Sequence, residues 1–345
     1  MMRAGEAGIN SLLELSARIG RDPLLVQAST GNTSIKVGGV LWIKASGKWL
    51  ANADREEILV SLDLAGAREC VKENRTFESL ADSPGSLSQP SIETAMHAVL
   101  PQAVVLHVHS VNAIAWAVRR DAPNRLKEQL SGLPWQWLPY TPSGMALARS
   151  VSKALSRHPQ TDIFILGNHG LVVCGESCKA AEALLSEVEQ RLAIVRRRAP
   201  EADLATLSLI MDYSDWVLPR DAALHALGTD PISRSILSGG MLYPCHGIFL
   251  RGGRRSSFAS SDTEAPPFLV VPRCGVLIDK SMTRPEYAML TGLVEVVQRI
   301  DASAPIRYLR GAEIATVFNA DSHSYRKLAE NNAQTTASLS AVSQQ

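Results

Sequence analysis

The sequence predicts an α/β protein carrying a small C-terminal α+β segment. Two observations lead to that reading. Between residues 30 and 198, stretches with strand-like alternation take turns with stretches of helical spacing. After the Ala199-Pro200 break the elements become fewer and shorter. The 345 residues are 46% hydrophobic and 20% charged, enough to bury a sizeable core and ordinary for a globular chain.

Residues 9–19 place Leu12, Leu13, Leu15 and Ile19 at helical spacing, predicting an opening amphipathic helix. The turn-forming run Ser29-Thr30-Gly31-Asn32-Thr33-Ser34 leads into a short strand over 34–37, and Gly38-Gly39 closes a hairpin onto 40–44. Residues 58–62 predict another strand. The polar stretch 74–89, with Pro84 and Gly85, predicts a loop; Pro90 then favours a helix start, and Ser91-Ile92-Glu93 opens a helix to Leu100. A buried strand over 103–109, a helix over 111–118, a strand over 135–138 and a helix over 145–155 follow. Strands over 162–166 and 171–174 precede a long helix over 179–198. Beyond the break, 221–227 and 284–300 read as helices, and 247–250, 268–271 and 276–278 as strands. The division is into a domain over 1–215, a smaller one over 216–330 and a disordered tail over 331–345, the last polar and rich in small residues.

A net charge of +1 argues against a broad basic face for nucleic acid. The five cysteines are scattered and form no C-x-x-C pair, so neither a disulfide framework nor a cysteine–zinc module is expected. Cys174 and Cys178, four apart at a strand-to-helix junction, read as buried structural thiols. Residues 1–20 lack the basic start and apolar stretch of a signal peptide, and no apolar run is long enough to cross a bilayer. The expected location is cytoplasmic, with no membrane partner.

Leu106-His107-Val108-His109-Ser110, at the end of an apolar strand, carries the strongest chemical signal. Side chains alternate across a strand, so both imidazoles project from one face. A third comes from Gly167-Asn168-His169-Gly170, where glycines let the backbone turn sharply between two strands. Three histidines with an open position make a catalytic zinc-type site. Glu93, in the first turn of the helix before the histidine strand, has two equal readings on position alone: a ligand or base beside the metal, or an acid favoured by the helix macrodipole. The small-residue turns Gly31-Asn32-Thr33-Ser34 and Ala45-Ser46-Gly47, with Ser91 at a helix start, offer N–H groups and hydroxyls to an anion, though plain turn chemistry explains any one of them.

Taken together these residues resemble the class II aldolase/adducin family over about residues 6–200. Five motifs stand in the family's order: Gly31-Asn32-Thr33-Ser34 with Ser46-Gly47, Pro90-Ser91-Ile92-Glu93, His107-Val108-His109-Ser110, Leu166-Gly167-Asn168-His169-Gly170-Leu171 and Gly175-Glu176-Ser177. The resemblance implies a three-layer αβα fold whose central sheet is mostly antiparallel, where alternation alone suggests a parallel one. It implies one divalent ion on His107, His109 and His169, zinc first, with cobalt, manganese or iron accepted by the same donors. Glu93 becomes the general acid/base, and Gly31, Asn32, Ser46, Gly47 and Ser91 become the anion-binding positions. Tyr140, ahead of the Pro142-Ser143-Gly144 turn, matches a tyrosine that helps protonate an aldehyde oxygen; a tyrosine packed at a strand end is the alternative.

Residues 243–250 and 305–309 resemble a subgroup in which the aldolase domain carries an extra C-terminal segment, like the aldolase half of bifunctional rhamnulose-phosphate aldolase/lactaldehyde dehydrogenase proteins. No dinucleotide fingerprint is present, so no dehydrogenase half is expected. An acid is expected where Cys245 stands, and His246 reads as a buried structural histidine. The stretch 212–219, with Trp216 and Leu218, reads as a cover for the site's mouth or a subunit contact.

The implied activity is a lyase that cleaves or forms a carbon–carbon bond in a sugar phosphate or sugar acid through a metal-stabilised enediolate. Burial is expected to raise the pKa of Glu93 for that task. A sugar-phosphate epimerase, dehydratase or decarboxylase would reuse the same metal site. An adducin-like interaction module would lack the histidines, and a zinc hydrolase would leave the anion turns unexplained. A homo-oligomer, with a tetramer favoured, is expected from the resemblance.

Overall fold

The alternating N-terminal region folds into one seven-stranded sheet. The computed structural model describes residues 2–75, 77, 89–212, 214–251, 266–318 and 323–333. In chain order, α1 (Met2–Arg21) leads to β1 (Asn32–Val37), β2 (Val40–Lys44), β3 (Leu59–Asp63), α2 (Leu64–Glu73) and α3 (Thr94–Val99). Next come β4 (Val104–Val108), α4 (Val111–Ala117), α5 (Ala122–Gln129), β5 (Trp135–Leu138) and α6 (Met145–Arg157). The strands β6 (Ile163–Leu166) and β7 (Gly170–Gly175) and the helix α7 (Cys178–Leu192) complete this part. The sheet order is β3-β2-β1-β4-β7-β6-β5, and only β5 and β6 run parallel. The parallel sheet that bare alternation suggests is thus replaced by the mostly antiparallel one that the family resemblance implies.

Both faces of the sheet are covered, which is why β4 (Val-Val-Leu-His-Val) is buried at all five positions. Val104, Leu106 and Val108 face α1 and α7, packing with Leu12, Leu15, Leu185 and Val188. Val105 faces α3 and α6, packing with Met96, Leu147 and Val151. His107 alternates with Leu106 and so lies on the α3 side, toward Glu93. Each such Leu or Val contributes roughly 1.5–3 kcal/mol by leaving water, so the strand is a rigid mount for its C-terminal end.

The C-terminal segment contains α8 (Leu204–Met211), β8 (Trp216–Val217), α9 (Ala226–Thr229), α10 (Pro231–Ser238), α11 (Pro244–Leu250), β9 (Phe268–Val271), β10 (Gly275–Asp279), α12 (Arg284–Val297) and α13 (Ala312–Val317). A last helix, α14, covers residues 323–333. The strands form a small sheet of order β8-β10-β9. This segment shares a core with the first part: Val111, Ile114 and Val118 of α4 pack with Phe249, Met289 and Leu293.

Several local readings change. Residues 247–250 belong to helix α11: Pro244 pre-sets the first helical φ after an extended Tyr243, and a short apolar run buried all round does not distinguish helix from strand. The long helix stops at Leu192, and the extended chain beyond it sends Arg196 to Glu295 and Arg197 to Asp230. Residues 221–227 form a 3₁₀ turn, Ala222–His225, followed by α9. Cys174 is buried, but Cys178 is only half-buried. Trp216 packs into a core with Leu207, Leu269 and Leu277 rather than at a site's mouth. Of the expected loop over 74–89, residues 76 and 78–88 lie outside the described residues, as do 334–345 of the expected tail; 331–333 close α14. Among the described residues no helix is long and apolar enough to cross a membrane.

Candidate active site

The end of β4 delivers His107 and His109, and the β6–β7 turn delivers His169. The turn approaches so closely that a Cβ on Gly170 would lie 2.6 Å from the Val108 carbonyl oxygen. Gly31, at φ +65°, allows the same on the other side, where a Cβ would meet the His107 carbonyl at 2.8 Å. Asn168 holds the turn in a left-handed conformation at φ +52°. Its Nδ2 donates to the carbonyls of Leu242 (2.8 Å) and Arg307 (2.7 Å), and its Oδ1 accepts from Arg307 Nη1 (2.8 Å). The C-terminal segment therefore pins the loop that carries His169.

The three imidazoles converge: their ring centroids lie 4.9–5.2 Å apart, and all three residues are buried. His107 Nε2 lies 3.1 Å from His109 Nε2. The Glu93 carboxylate spans the group, with Oε2 3.1 Å from His107 Nε2 and Oε1 3.2 Å from His169 Nε2. His107 Nδ1 lies 3.0 Å from the Leu171 carbonyl, an acceptor only, so Nδ1 carries the proton and the Nε2 lone pair points inward. Lone pairs and a carboxylate facing one another call for a cation among them. The 3.1 Å between the two nitrogens is close to the roughly 3.3 Å expected of two ligands on a tetrahedral zinc-like ion. The donor set fits such an ion.

Glu93 is the N-cap residue of α3, fixed by Asn32 Nδ2 donating to Oε2 (2.8 Å) and Ser143 Oγ donating to Oε1 (3.1 Å). Burial pushes its pKa up, but positive charge held among the His107 and His169 imidazoles outweighs burial and keeps the carboxyl well below its usual range; with the rings neutral, that charge would have to come from a bound cation. The expected upward shift is thus reversed. For His109 burial comes first, then His107 and His169, and all hold the ring well below its ordinary value, so it is neutral and able to donate a lone pair.

Of the anion-binding candidates, Asn32 and Ser91 meet: Asn32 Nδ2 donates to Ser91 Oγ (3.1 Å), which also accepts the Glu93 N–H (3.3 Å). Ser46 is tied by its N–H to Gln89 O (2.7 Å). Gly47, at φ +73°, lies against α14, where a Cβ would be 2.8 Å from Leu328 Cβ. Tyr140 forms no hydrogen bond to the triad or Glu93 among the described residues; its ring lies under the Arg307 guanidinium (5.5 Å) and packs with Met241, Leu309 and Val317.

Sequence reasoning missed four neighbours of the site. Ser143 touches Glu93, and His97 bridges Ser34 Oγ and Asn32 Oδ1. Cys245, where an acid was expected, places Sγ 3.6 Å from His109 Nδ1. Lys44 is buried, with its ammonium on the carbonyls of Ser29 and Lys48. Ser143, in the Pro142-Ser143-Gly144 turn, and Cys245, at a position where an acid is expected, carry a signal in the sequence; His97 and Lys44 do not. His246 is buried and accepts the Leu242 N–H on Nδ1 (3.4 Å), its Nε2 has no hydrogen-bond partner among the described residues, and burial lowers its pKa to about 4.

The family model for the class II aldolase and adducin N-terminal domain matches residues 10–195. A Bacillus subtilis (strain 168) protein called uncharacterized oxidoreductase YuxG is 28% identical over 203 residues, which is 53% of this chain and 29% of that protein. The chain therefore spans less than a third of that relative's length. Among solved structures, the N-terminal class II aldolase domain of a conserved Thermoplasma acidophilum protein is 25% identical with a TM-score of 0.47, covering 53% of this chain and 91% of that one. L-fuculose-1-phosphate aldolase from Thermus thermophilus is 20% identical with a TM-score of 0.37, covering 59% of this chain and 98% of that one. With its matched residues making up more than half of its length, the chain belongs to the class II aldolase and adducin family.

Proposed function

We propose that the protein is a metal-dependent lyase that breaks or forms a carbon–carbon bond in a sugar phosphate or sugar acid. The observation that carries this reading is the convergence of three buried imidazoles on the Glu93 carboxylate. His107, His109 and His169 would hold one divalent ion, zinc by preference, whose Lewis acidity polarises a substrate carbonyl and its neighbouring hydroxyl.

The chain's own residues supply the rest. In synthesis, the ionised Glu93 takes a proton from the carbon beside the carbonyl, the electron pair left there bonds to the aldehyde carbon, and the aldehyde oxygen picks up a proton from Tyr140. Solvent then returns one proton from Glu93 to Tyr140, and cleavage runs the same transfers in reverse. Glu93 thus serves the carbon beside the carbonyl, delivering its proton in cleavage and removing it in synthesis. It is ionised at rest, so it is ready as the base, and Asn32 and Ser143 keep its oxygens aimed. Tyr140 protonates the aldehyde oxygen in the synthetic direction; its place three residues before Ser143 supports that assignment. Gly31, Asn32, Ser46, Gly47 and Ser91 hold the far, anionic end of the substrate. In this reading residues 1–215 form the metal-binding domain. Residues 216–330 form a smaller one that buttresses it through Asn168 and Cys245.

Elemental analysis of the purified protein tests the reading, with the His107→Ala/His109→Ala double variant beside it. The expected result is about one zinc-like ion per chain, lost in the variant, with cleavage of a sugar phosphate or sugar acid lost alongside it. A protein that takes up no ion after reconstitution with several metals would move the weight to a non-catalytic module.

A further inference from the structure

Beyond Leu192 the chain leaves α7 as an extended segment that carries three consecutive arginines, Arg196, Arg197 and Arg198. Together with Arg220 and the turn before α9, they line a cleft of about 880 Å³. None of the residues lining it belongs to the histidine site. Two of the arginines are committed within the fold: Arg196 Nη1 donates to Glu295 (2.6 Å) and Arg197 Nη2 to Asp230 (2.8 Å). Arg198 and Arg220 differ from them. Both are exposed, and neither makes an ion pair or a side-chain hydrogen bond among the described residues. Glu201 is the only acid among the lining residues, so positive charge is in excess in the cleft even with Glu201 counted.

His225 lines the same cleft and is 7% exposed. Its Nδ1 accepts the Val276 N–H (3.1 Å), so the neutral ring carries its proton on Nε2. Burial lowers the pKa, with Asp221 pulling the other way, which keeps the ring neutral near pH 7. The backbone of β10 shuts the Nδ1 edge, where a Cβ on Gly275 would lie 2.6 Å from the nitrogen. The Nε2 edge is the one the cleft reaches, and its N–H has no acceptor among the described residues. A buried donor without a partner is costly until a ligand or water completes it. Around these donors Ala199, Leu204, Leu218 and Ala222 supply apolar walls, and no Phe, Tyr or Trp lines the cleft.

We infer that this cleft is a second binding site, for a small organic anion whose phosphate or carboxylate head is held by Arg198, Arg220 and the His225 Nε2–H. The guanidinium fork matches the paired oxygens of either head group. The volume falls within the roughly 300–1,000 Å³ of small-molecule sites and exceeds what a bare ion fills, so the ligand carries a body as well as a head. Aliphatic walls without an aromatic platform suit an aliphatic body and offer a nucleobase no ring to stack on beyond His225. The inference is independent of the lyase reading, because it uses no residue of the histidine site.

The test uses the full-length protein with n-butyl phosphate and pentanoate as probes, measured by titration calorimetry. Butyl phosphate stands for a phosphate ester and pentanoate for a carboxylate; whichever binds more tightly names the head group. Arg198→Gln/Arg220→Gln is expected to weaken the preferred probe by about tenfold to hundredfold, the worth of charge-assisted hydrogen bonds. Both positions are exposed and unpaired, so the variant keeps the fold. His225→Asn leaves an oxygen to accept the Val276 N–H but removes the Nε2–H, and is expected to weaken the probe by about threefold to tenfold. Should it fail to fold, Ala222→Glu takes its place: it sets a carboxylate on an exposed wall of the cleft and is expected to weaken binding by about tenfold or more. The His107→Ala/His109→Ala variant is expected to bind the probe as the wild type does, which separates this cleft from the proposed catalytic site. Equal binding by the arginine variant, or binding of neither probe, overturns the inference. So does a loss confined to the arginine variant, which would mean diffuse attraction to surface charge, and so does binding that disappears with His107 and His109. None of these measurements needs turnover, so a protein that cleaves nothing sinks the lyase proposal and leaves the cleft to be judged by itself.

Discussion

Glu93 and Lys44 are both buried charges at one site, but the fold treats them differently. Glu93 is surrounded by partners from four places in the chain: His107 from β4, His169 from the β6–β7 turn, Asn32 from β1 and Ser143 from the turn before α6. Among the described residues Lys44 donates only to the backbone carbonyls of Ser29 and Lys48. The Glu93 carboxylate is thus tied to side chains on every side, whereas the Lys44 ammonium is held by main-chain carbonyls.

The largest effect expected from this contrast is at Glu93. Glu93→Gln keeps the shape and the metal ligands but removes the base, so kcat is expected to fall by about 10²- to 10⁴-fold with metal content unchanged. Steady-state kinetics on whichever sugar phosphate or sugar acid is cleaved, with elemental analysis alongside, checks it. Near-normal turnover with metal bound would remove Glu93 from the mechanism.

Asn168 comes next, since it fixes His169 without touching the Glu93 cluster. Asn168→Ala loses three hydrogen bonds in a fully buried position and places a Cβ without a hydrogen-bonding group at φ +52°. Unfolding stability is expected to drop by about 2–4 kcal/mol in urea titrations. Asn168→Gly, which tolerates the left-handed backbone, should recover about 1 kcal/mol of that loss. If the two variants were equally stable, backbone strain would play no part and the hydrogen bonds alone would set the effect.

The histidine half was legible because its signals are local. Alternation alone puts His107 and His109 on one face, and a Gly-flanked histidine between two strands marks a close approach. The sense of the sheet was not legible from alternation, because antiparallel strands joined through intervening helices leave the same pattern as parallel ones; the ordered motifs supplied it. Lys44 reads as an ordinary strand-end lysine in Val-Leu-Trp-Ile-Lys, and only Ser29 and a helix nearly 300 residues along make it buried. Cys245 meets His109 across 136 positions, a relation no local spacing carries. The Glu93 pKa was misjudged because burial was weighed without the imidazoles that oppose it.

The smallest effect sharpens the comparison from the Lys44 side. An unfolded lysine titrates at about 10.4, while the folded one is lowered to about 7. Between those values the unfolded chain holds a proton that the folded chain lacks, so raising the pH favours folding. The ligand-free wild type should therefore gain stability relative to Lys44→Met from pH 7 to 9, by at most about 1.4 kcal/mol per pH unit, with the difference level below pH 7. Taking the difference between the two proteins cancels the titrations they share. Urea unfolding of both proteins at pH 7, 8 and 9 measures the slope. A flat difference would mean that Lys44 keeps its proton in the folded protein.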